Sequence, residues 1–316
     1  MTGMLADQLA YVALASNDSS ATCRVLERNF GLPRTEFHSP EGRVPLFALG
    51  RSALAVFPLG HTMLAGPSKP GVNHIALGVD DVDAAARTAT SAGVNASGPS
   101  TSGLGGRKTL HFDPAGTVGV RVHLTERLGL APASGAAVER IDHLGVASSD
   151  VSEDERVFAD GLGFAVESRQ TDMEVNIAVE SFTSDKYGVV YHSRPPQLVA
   201  GLRDLFVTIG DCELEFLANF NPRQAGEVDH GQSGTTRQDQ GAIARYVASR
   251  GRGLHHVALK TPDIDALLAS LSAAGVPVID RKGRPGGRRS LIGFIHPKGT
   301  GGVLMHVVQR ADRPDT

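Results

Sequence analysis

LHHVALKTPDIDALLASLSAAGV (residues 254–276) decides the fold, because VNHIALGVDDVDAAARTATSAGV (72–94) repeats it 182 residues earlier in the chain. HPKGTGGVLMH (296–306) repeats DPAGTVGVRVH (113–123) in the same way, at an offset of 183. An offset that holds across an opening strand, a helix and a closing strand indicates an internal duplication. The sequence therefore predicts two halves built on one plan.

Each half divides again into two similar units. RIDHLGVASSD (140–150) repeats QLAYVALASND (8–18), and both open a unit with a short apolar strand. Each unit is predicted to continue with an amphipathic helix and three further strands, in the order β-α-β-β-β. The fold class is therefore α+β, with four such units paired into two cupped, half-closed sheets. The units span about 8–60, 70–128, 140–222 and 253–310.

The last unit carries the clearest local signals. Ile264, Leu267, Leu268 and Leu271 recur at three- and four-residue spacing and predict one apolar helix face. Asp263 or Thr261 is the expected N-cap, and Gly275 the expected end of the helix. VPVID (276–280), SLIGFIH (290–296) and GGVLMHVVQ (301–309) are the predicted strands, with a basic turn, RKGRPGGRR, after the first.

Two stretches read as connections. LGLAPASGAAV (129–139) is rich in small residues and predicts the linker between domains at 1–130 and 138–316. The polar stretch within 221–252 predicts a long connection that ends in the short helix AIARYVAS (242–249). We expect the first domain to be structural and the second to be catalytic.

Composition excludes several classes of protein. The 316 residues carry 31 Lys and Arg against 34 Asp and Glu, a balance that argues against a nucleic-acid partner. Cys23 and Cys212 cannot build a disulfide framework. No apolar run is long enough for a membrane span, and the N-terminus does not resemble a signal peptide. We therefore expect a cytoplasmic protein with no membrane partner, which binds a small molecule and forms a homo-oligomer.

The four units resemble the vicinal-oxygen-chelate superfamily, in which paired units form a cupped sheet around one divalent metal. HPKGTGGVL (296–304) is similar to the methylmalonyl-CoA epimerases. LHHVALKT (254–261) and VVQR (307–310) are similar to the 4-hydroxyphenylpyruvate dioxygenases, whose second half is catalytic. The resemblance covers nearly the whole chain at the level of the fold and is specific over about 140–310.

The resemblance implies metal ligands on the opening and closing strands of the second half. Carried onto this sequence, they are His143, Glu215, His256 and His306. Imidazole and carboxylate donors suit one divalent ion such as Fe, Mn, Co, Ni or Zn. The alternative is that the three histidines are core residues satisfied by local hydrogen bonds. Strand alternation places His255 on the opposite face as a structural residue.

One position departs from both relatives, which have Glu where this chain has His306. The carboxylate of the site then falls to Glu215, in the preceding unit, and Glu213 ranks behind it. Four ligands leave an octahedral ion two open positions, enough for two vicinal oxygens of a substrate. A dioxygenase that binds a bidentate keto acid together with dioxygen needs three open positions, one more than this site offers.

The first half lacks this set. Tyr11 stands where His143 stands, the match to Glu215 falls near Ala55, and only His74 and His123 persist. We therefore expect a degenerate copy. The alternative is a weaker second metal site that uses His74, His123 and Tyr11.

The basic run of the last unit has two interpretations. It contains Arg281, Lys282, Arg284, Arg288 and Arg289, and Lys298 follows. One interpretation is a solvated hairpin turn. The other is a grip on a carboxylate or a coenzyme A phosphate, for which Arg288 and Lys298 are the candidate substrate-binding residues.

Three functions remain open. The first is a metal-dependent epimerase, isomerase or lyase in which the metal holds vicinal oxygens of a carbonyl, carboxylate or acyl-CoA substrate and Glu215 takes the proton. The second is a non-haem Fe(II) dioxygenase of the extradiol or 4-hydroxyphenylpyruvate type. The third is a non-enzymatic binder of small molecules.

Overall fold

The structure is a computed structural model that describes residues 3–64, 69–131, 133–176, 179–193, 195, 197–221 and 241–311. Within these residues the first half forms one sheet from eight strands. They are β1 (Leu9–Ser16), β2 (Arg34–Ser39), β3 (Gly42–Leu49), β4 (Ser52–Pro58), β5 (Gly71–Val79), β6 (Thr101–Ser102), β7 (Lys108–His111) and β8 (Val122–Glu126). Its helices are α1 (Ser19–Arg24), which continues as a π-helical turn, and α2 (Val82–Ser91).

The second half repeats this plan with one addition. Its strands are β9 (Arg140–Ala147), β10 (Ala165–Asn176), β11 (Val179–Ser184), β12 (Gly188–Ser193), β13 (Gln197–Ile209), β14 (Cys212–Phe220), β15 (Gly253–Lys260), β16 (Arg284–Pro285), β17 (Leu291–Ile295) and β18 (Met305–Gln309). Its helices are α3 (Val151–Glu155), α4 (Ala242–Arg250) and α5 (Ile264–Ala273). The addition is the β11–β12 hairpin, which forms a small sheet of its own.

Strand order confirms the predicted fold class. In the described residues the first sheet runs β2-β3-β4-β1-β5-β8-β7-β6, and the second runs β10-β13-β14-β9-β15-β18-β17-β16. In both sheets the two opening strands pair antiparallel at the centre, and each also pairs in parallel with the closing strand of its own unit. The opening and closing strands that the ligand prediction relies on are therefore neighbours in the sheet.

Helix ends follow the sequence signals. An aspartate caps the helix of every unit with its side chain, and these residues are Asp18, Asp81, Asp150 and Asp263. In the last unit Asp263 accepts a hydrogen bond from the Ala266 N–H at 3.0 Å. Gly275, just beyond the helix, has a φ of 77°, a left-handed value that costs glycine little. The predicted buried face of α5 is confirmed as well.

Two predictions for the strands were wrong. VPVID (276–280) forms only an isolated bridge between Val278 and Ile295, in part because Pro277 has no N–H to donate. The edge strand is instead β16, inside the predicted basic turn. The sequence also gave no warning of the β11–β12 hairpin in the third unit. The predicted connection before α4 falls largely on residues 222–240, which lie outside the described residues.

Hydrophobic side chains form one large core that both halves share. It takes Val12 and Leu14 from β1, and Leu144 and Val146 from β9. These side chains lie on the convex face of each sheet, opposite the concave face, which we call the cup. A smaller apolar cluster fills the cup of the first half. The cup of the second half holds a cavity of about 880 Å³. No helix in the described part of the chain is long and apolar enough to cross a membrane.

Candidate metal centre

Three histidines from three neighbouring strands meet inside the second cup. His143 lies on β9, His256 on β15 and His306 on β18, and all three are buried. One nitrogen from each lies within 4.8 Å of the other two. The Nε2 atoms of His143 and His306 are 3.1 Å apart. Two nitrogens each about 2.1 Å from one ion at a right angle would be separated by roughly 3 Å, so the spacing fits a shared ion.

Glu215 on β14 supplies a fourth donor. Its Oε2 lies 3.2 Å from Nε2 of His143 and 3.7 Å from Nε2 of His256. Although burial alone would raise it, the charge of His143 and its hydrogen bond to the carboxylate lower the pKa of Glu215 below its usual value. The carboxylate is therefore ionised at neutral pH, as a metal ligand must be.

An unsatisfied nitrogen of His256 indicates that a partner is missing at this point. Nε2 of His256 is buried and has no hydrogen-bond partner, while Nε2 of His306 faces Nε2 of His143. Burial lowers the pKa of both rings well below the usual value for histidine, so both are neutral and offer a lone pair. Buried polar atoms normally have partners. The donor set of three imidazoles and one carboxylate fits a borderline divalent ion.

Local electrostatics also favour a cation here. Burial by itself lowers the pKa of the His143 ring, but the nearby Glu215 and Asp142 carboxylates outweigh it and raise that pKa to about 9. The two carboxylates thus stabilise positive charge at the centre of the cup. A divalent ion would benefit from the same attraction.

Asp142 orients His143 from behind. The Nδ1–H of His143 donates to Asp142 Oδ1 at 2.8 Å, and Asp142 is fully buried. This is the carboxylate–histidine arrangement that fixes the tautomer of a metal ligand. Burial would raise the pKa of Asp142, but contacts with His143, Arg310 and Arg288 lower it far below its usual value. Asp142 was not among the residues that the sequence singled out.

Backbone irregularities bring these paired residues onto one face. The pairing of β9 with β15 skips one residue at Asp142 and one at His255, so each strand has a β-bulge there. Both residues consequently line the cup beside His143 and His256. The expectation that His255 lies on the opposite face was wrong, because strict alternation fails at a bulge. His255 Nδ1 instead lies 2.9 Å from His256 Nδ1.

Arg288 lines the cavity, but its charge is already paired. Its guanidinium bonds Glu213 at 3.0 Å and Asp142 at 3.3 Å, and stacks 3.8 Å above the Phe206 ring. Arg310 reaches the same two carboxylates. The Arg288 side chain is therefore largely buried and ion-paired on the cavity wall. The interpretation of the basic run as a solvated turn does not apply to Arg288. Its backbone φ of 54° is left-handed, a conformation that a non-glycine residue keeps only when its surroundings hold it.

Lys298 lies elsewhere. It is exposed on the 3₁₀ turn Pro297–Gly299 and is not among the residues that line the cavity. This position does not support the predicted role of Lys298 in substrate binding. Arg284 and Arg288 of the basic run do line the cavity, and both are paired with carboxylates there.

The first half has different residues at the equivalent positions. Ala55 pairs with Ala13 as Glu215 pairs with Gly145, so the register confirms Ala55 as the counterpart of the carboxylate. Apolar side chains, with Leu104 and Phe57 among them, fill this cup. His123 stacks on His74 with ring centroids 3.9 Å apart. The described residues of this half contain no convergent group of three His, Cys, Asp or Glu side chains, although the Tyr11 hydroxyl lies 3.4 Å from Nε2 of His74.

Two family profiles match the chain. Both belong to the Glyoxalase/Bleomycin resistance protein/Dioxygenase superfamily, and they cover residues 142–294 and 8–118. The chain therefore belongs to this superfamily, in agreement with the resemblance drawn from its motifs. The uncharacterized protein YqjC of Bacillus subtilis (strain 168) is 24% identical over 174 residues, which are 54% of this chain and 93% of YqjC.

The two-domain fold recurs in a solved structure. A triple variant of 4-hydroxymandelate synthase from Streptomyces coelicolor is 16% identical, with a TM-score of 0.59 over 98% of this chain and 94% of that chain. At this identity the likeness shows the two-domain fold alone. A variant of the Streptomyces coelicolor methylmalonyl-CoA epimerase, in complex with 2-nitronate-propionyl-CoA, is 25% identical over 57% of this chain and 100% of its own, with a TM-score of 0.38.

Proposed function

We propose that the chain is a divalent-metal-dependent enzyme that binds two vicinal oxygens of a small carbonyl substrate and transfers a proton at a neighbouring carbon. The observation that supports this most directly is the meeting of three histidine nitrogens within 4.8 Å, with Glu215 beside two of them. An epimerase, an isomerase and a lyase all fit this description.

Each residue of the candidate metal centre has a proposed role. His143, His256, His306 and Glu215 hold the ion, and Asp142 keeps His143 in the correct tautomer. When bound, a divalent ion supplies a Lewis acid that polarises a carbonyl oxygen. Glu215 is the candidate proton acceptor, since its carboxylate lines the cavity beside the histidines. Phe206 and Phe294 line the same cavity and limit the access of water.

Metal analysis tests the ligand set. Protein purified after loading with Ni²⁺ or Zn²⁺ should hold close to one ion per chain, and His256→Ala should lose it. His38→Ala, which changes a histidine of the first half on β2, is the matched control and should keep it. Equal metal in wild type and His256→Ala would contradict the assignment.

Reaction class is tested separately. The metal-loaded protein is incubated in D₂O, under air, with a panel of 2-oxo acids, acyl-CoA thioesters and amino ketones. Proton transfer predicts deuterium at the carbon next to a carbonyl, without oxygen consumption. Turnover that requires Fe(II) and consumes stoichiometric oxygen would establish the dioxygenase instead. Tight binding of a panel member without any reaction would favour the non-enzymatic binder.

A further inference from the structure

Charge within the second cup is not balanced by the protein. Five acidic residues line the cavity: Asp142, Asp172, Asp204, Glu215 and Asp280. Glu215 belongs to the candidate metal centre. The other four must be satisfied by the cationic side chains that line the same cavity, which are three arginines.

The arginines are committed to two of those four carboxylates. Arg288 and Arg310 both pair with Asp142, at 3.3 Å and 2.9 Å. Arg284 pairs with Asp280 at 3.2 Å. Among the described residues, neither Asp172 nor Asp204 has a cationic side chain within ion-pair distance. Two carboxyl groups on the cavity wall are therefore left without an ion-pair partner.

These two carboxyl groups lie on neighbouring strands and share one hydrogen-bond donor. Asp204 on β13 pairs with Gln170 on β10, and Asp172 lies two residues further along β10. The Nε2 of Gln170 donates to Asp172 Oδ1 at 2.8 Å and to Asp204 Oδ2 at 3.4 Å. One amide nitrogen thus serves both groups, and one oxygen of each carboxyl group is left for another donor.

Asp204 shows the deficit most clearly. It is only 4% exposed, and its Oδ1 is buried without a hydrogen-bond partner. Burial and the nearby negative charges of Glu215 and Asp172 raise its pKa well above the usual value for aspartate. Burial also raises the pKa of Asp172. An incoming cation would relieve both the unpaired oxygen and the repulsion.

We propose that Asp204 and Asp172 form a subsite for a protonated amine, so that the substrate is a metal-chelating molecule that carries an ammonium group. The inference rests on the proposed function, because the metal must hold the other end of the same molecule. It favours a cationic substrate over the carboxylate or acyl-CoA that the basic run suggested.

The strand register indicates the distance that such a substrate must span between the metal and the ammonium subsite. Glu215 pairs with Phe206, and Asp204 lies two residues further along β13, opposite Leu217. Two residues of a strand span roughly 6.6 Å. A linker of about three carbons between the chelating oxygens and the nitrogen covers that distance. The subsite is thus next to the metal centre and does not overlap it.

Hydroxamic acids test this directly, since they bind divalent metals through two vicinal oxygens. Three probes of similar length are titrated calorimetrically into the Ni²⁺-loaded protein at pH 7: 4-aminobutanohydroxamic acid, butanohydroxamic acid and the monohydroxamate of succinic acid. The amine probe should bind about tenfold or more tightly than the neutral one, because charge-assisted hydrogen bonds to a buried carboxylate are strong. The anionic probe should bind most weakly.

Substitution of the two aspartates tests whether they cause the preference for the amine probe. Asp172→Asn combined with Asp204→Asn should abolish the preference for the amine probe. The affinity for butanohydroxamic acid and the metal content should not change. Asp280→Asn is the matched control, because it removes a cavity carboxylate that is already paired with Arg284. It should retain the preference for the amine.

The outcomes separate the two proposals. If no hydroxamate binds the loaded protein, chelation by vicinal oxygens fails and the proposed function fails with it. If the neutral and amine probes bind equally, only the ammonium subsite is overturned. A preference for the amine that survives in the Asp172/Asp204 double variant also overturns the assignment. Tighter binding of the anionic probe would show that the cup selects anions.

Discussion

Asp142 shows how a residue that holds no ligand position shapes the centre. It accepts from His143 on one side and from Arg310 on the other, with no exposed surface. A histidine ligand keeps its tautomer and direction only while such a partner is present. This role was not predictable from the sequence, because an aspartate directly before a histidine on a regular strand should face the opposite side of the sheet.

Asp142→Asn should therefore weaken metal binding while all four donors remain. We expect the Kd for Ni²⁺ or Zn²⁺ to rise by about 10- to 100-fold, the usual effect of removing the partner of a histidine ligand. A chromophoric chelator in competition with the protein measures it. Asp80→Asn, an exposed change in the first half, is the control. An unchanged Kd would show that His143 is oriented by other contacts.

Glu215→Gln separates the two roles given to this side chain. The amide oxygen can still coordinate, so much of the metal should stay bound. Proton transfer should fall by about 10²- to 10⁴-fold, the usual contribution of a positioned base. Deuterium exchange into the panel member that wild type labels is the measurement. Wild-type exchange in Glu215→Gln would assign the base to another residue.

At the scale of the element, the repeat predicted much of the site and strand pairing decided the rest. The offset between halves matched His74 with His256 and His123 with His306, and the family resemblance implied that the strands of His256 and His306 are neighbours, as they are. The match of Ala55 with Glu215 was only approximate from the sequence, and the strand register gives it. The bulges at Asp142 and His255 were not predictable, because a bulge is a property of two paired strands and local sequence does not reveal it. For the same reason, sequence alternation assigned His255 to the wrong face.

Gly145 on β9 gives His256 its place. A Cβ at this position would overlap the His256 ring, which lies directly over the glycine. The equivalent residue in the first half is Ala13, which pairs with His74 as Gly145 pairs with His256. A single methyl group therefore distinguishes the two cups at this point.

Gly145→Ala should displace His256 and lower metal affinity without unfolding the chain. Alanine is intrinsically better than glycine inside a strand by roughly 0.5–1 kcal/mol, so any loss of stability reports the clash with the ring. Metal content and thermal melting are measured together. Ala13→Gly, the reverse change in the first half, is the control and should keep the metal. Full metal in Gly145→Ala would show that the ring has room to move.

At the scale of the molecule, one fold has been used twice with different results. Both halves contribute side chains to the large core, so the two sheets pack against each other. Apolar side chains fill the first cup, while the second keeps an open cavity with the candidate centre. The division into a structural domain and a catalytic domain stays a prediction, as do the homo-oligomer and the cytoplasmic location.

A double variant of the first half tests that division. His74→Gln combined with His123→Gln removes the two histidines that persist from the duplication. Because the described residues of this half hold no group of three His, Cys, Asp or Glu side chains within reach of one ion, metal content should equal that of wild type. Loss of the metal would show that the first half holds an ion after all, as the alternative with Tyr11 requires.

The same variant should be less sensitive to acid. Burial lowers the pKa of His74 to about 3 and that of His123 well below its usual value, so both rings are neutral in the folded chain. In the unfolded chain they bind protons below a pH of about 6.5. The unfolded state therefore gains protons first, and the free energy of unfolding falls as the pH drops from about 6.5 toward 3. Each histidine contributes up to about 1.4 kcal/mol per pH unit to this slope. Denaturant unfolding at pH 7, 6 and 5 should show a shallower slope in the double variant. An equal slope would mean that the two rings bind protons in the folded protein as readily as in the unfolded chain.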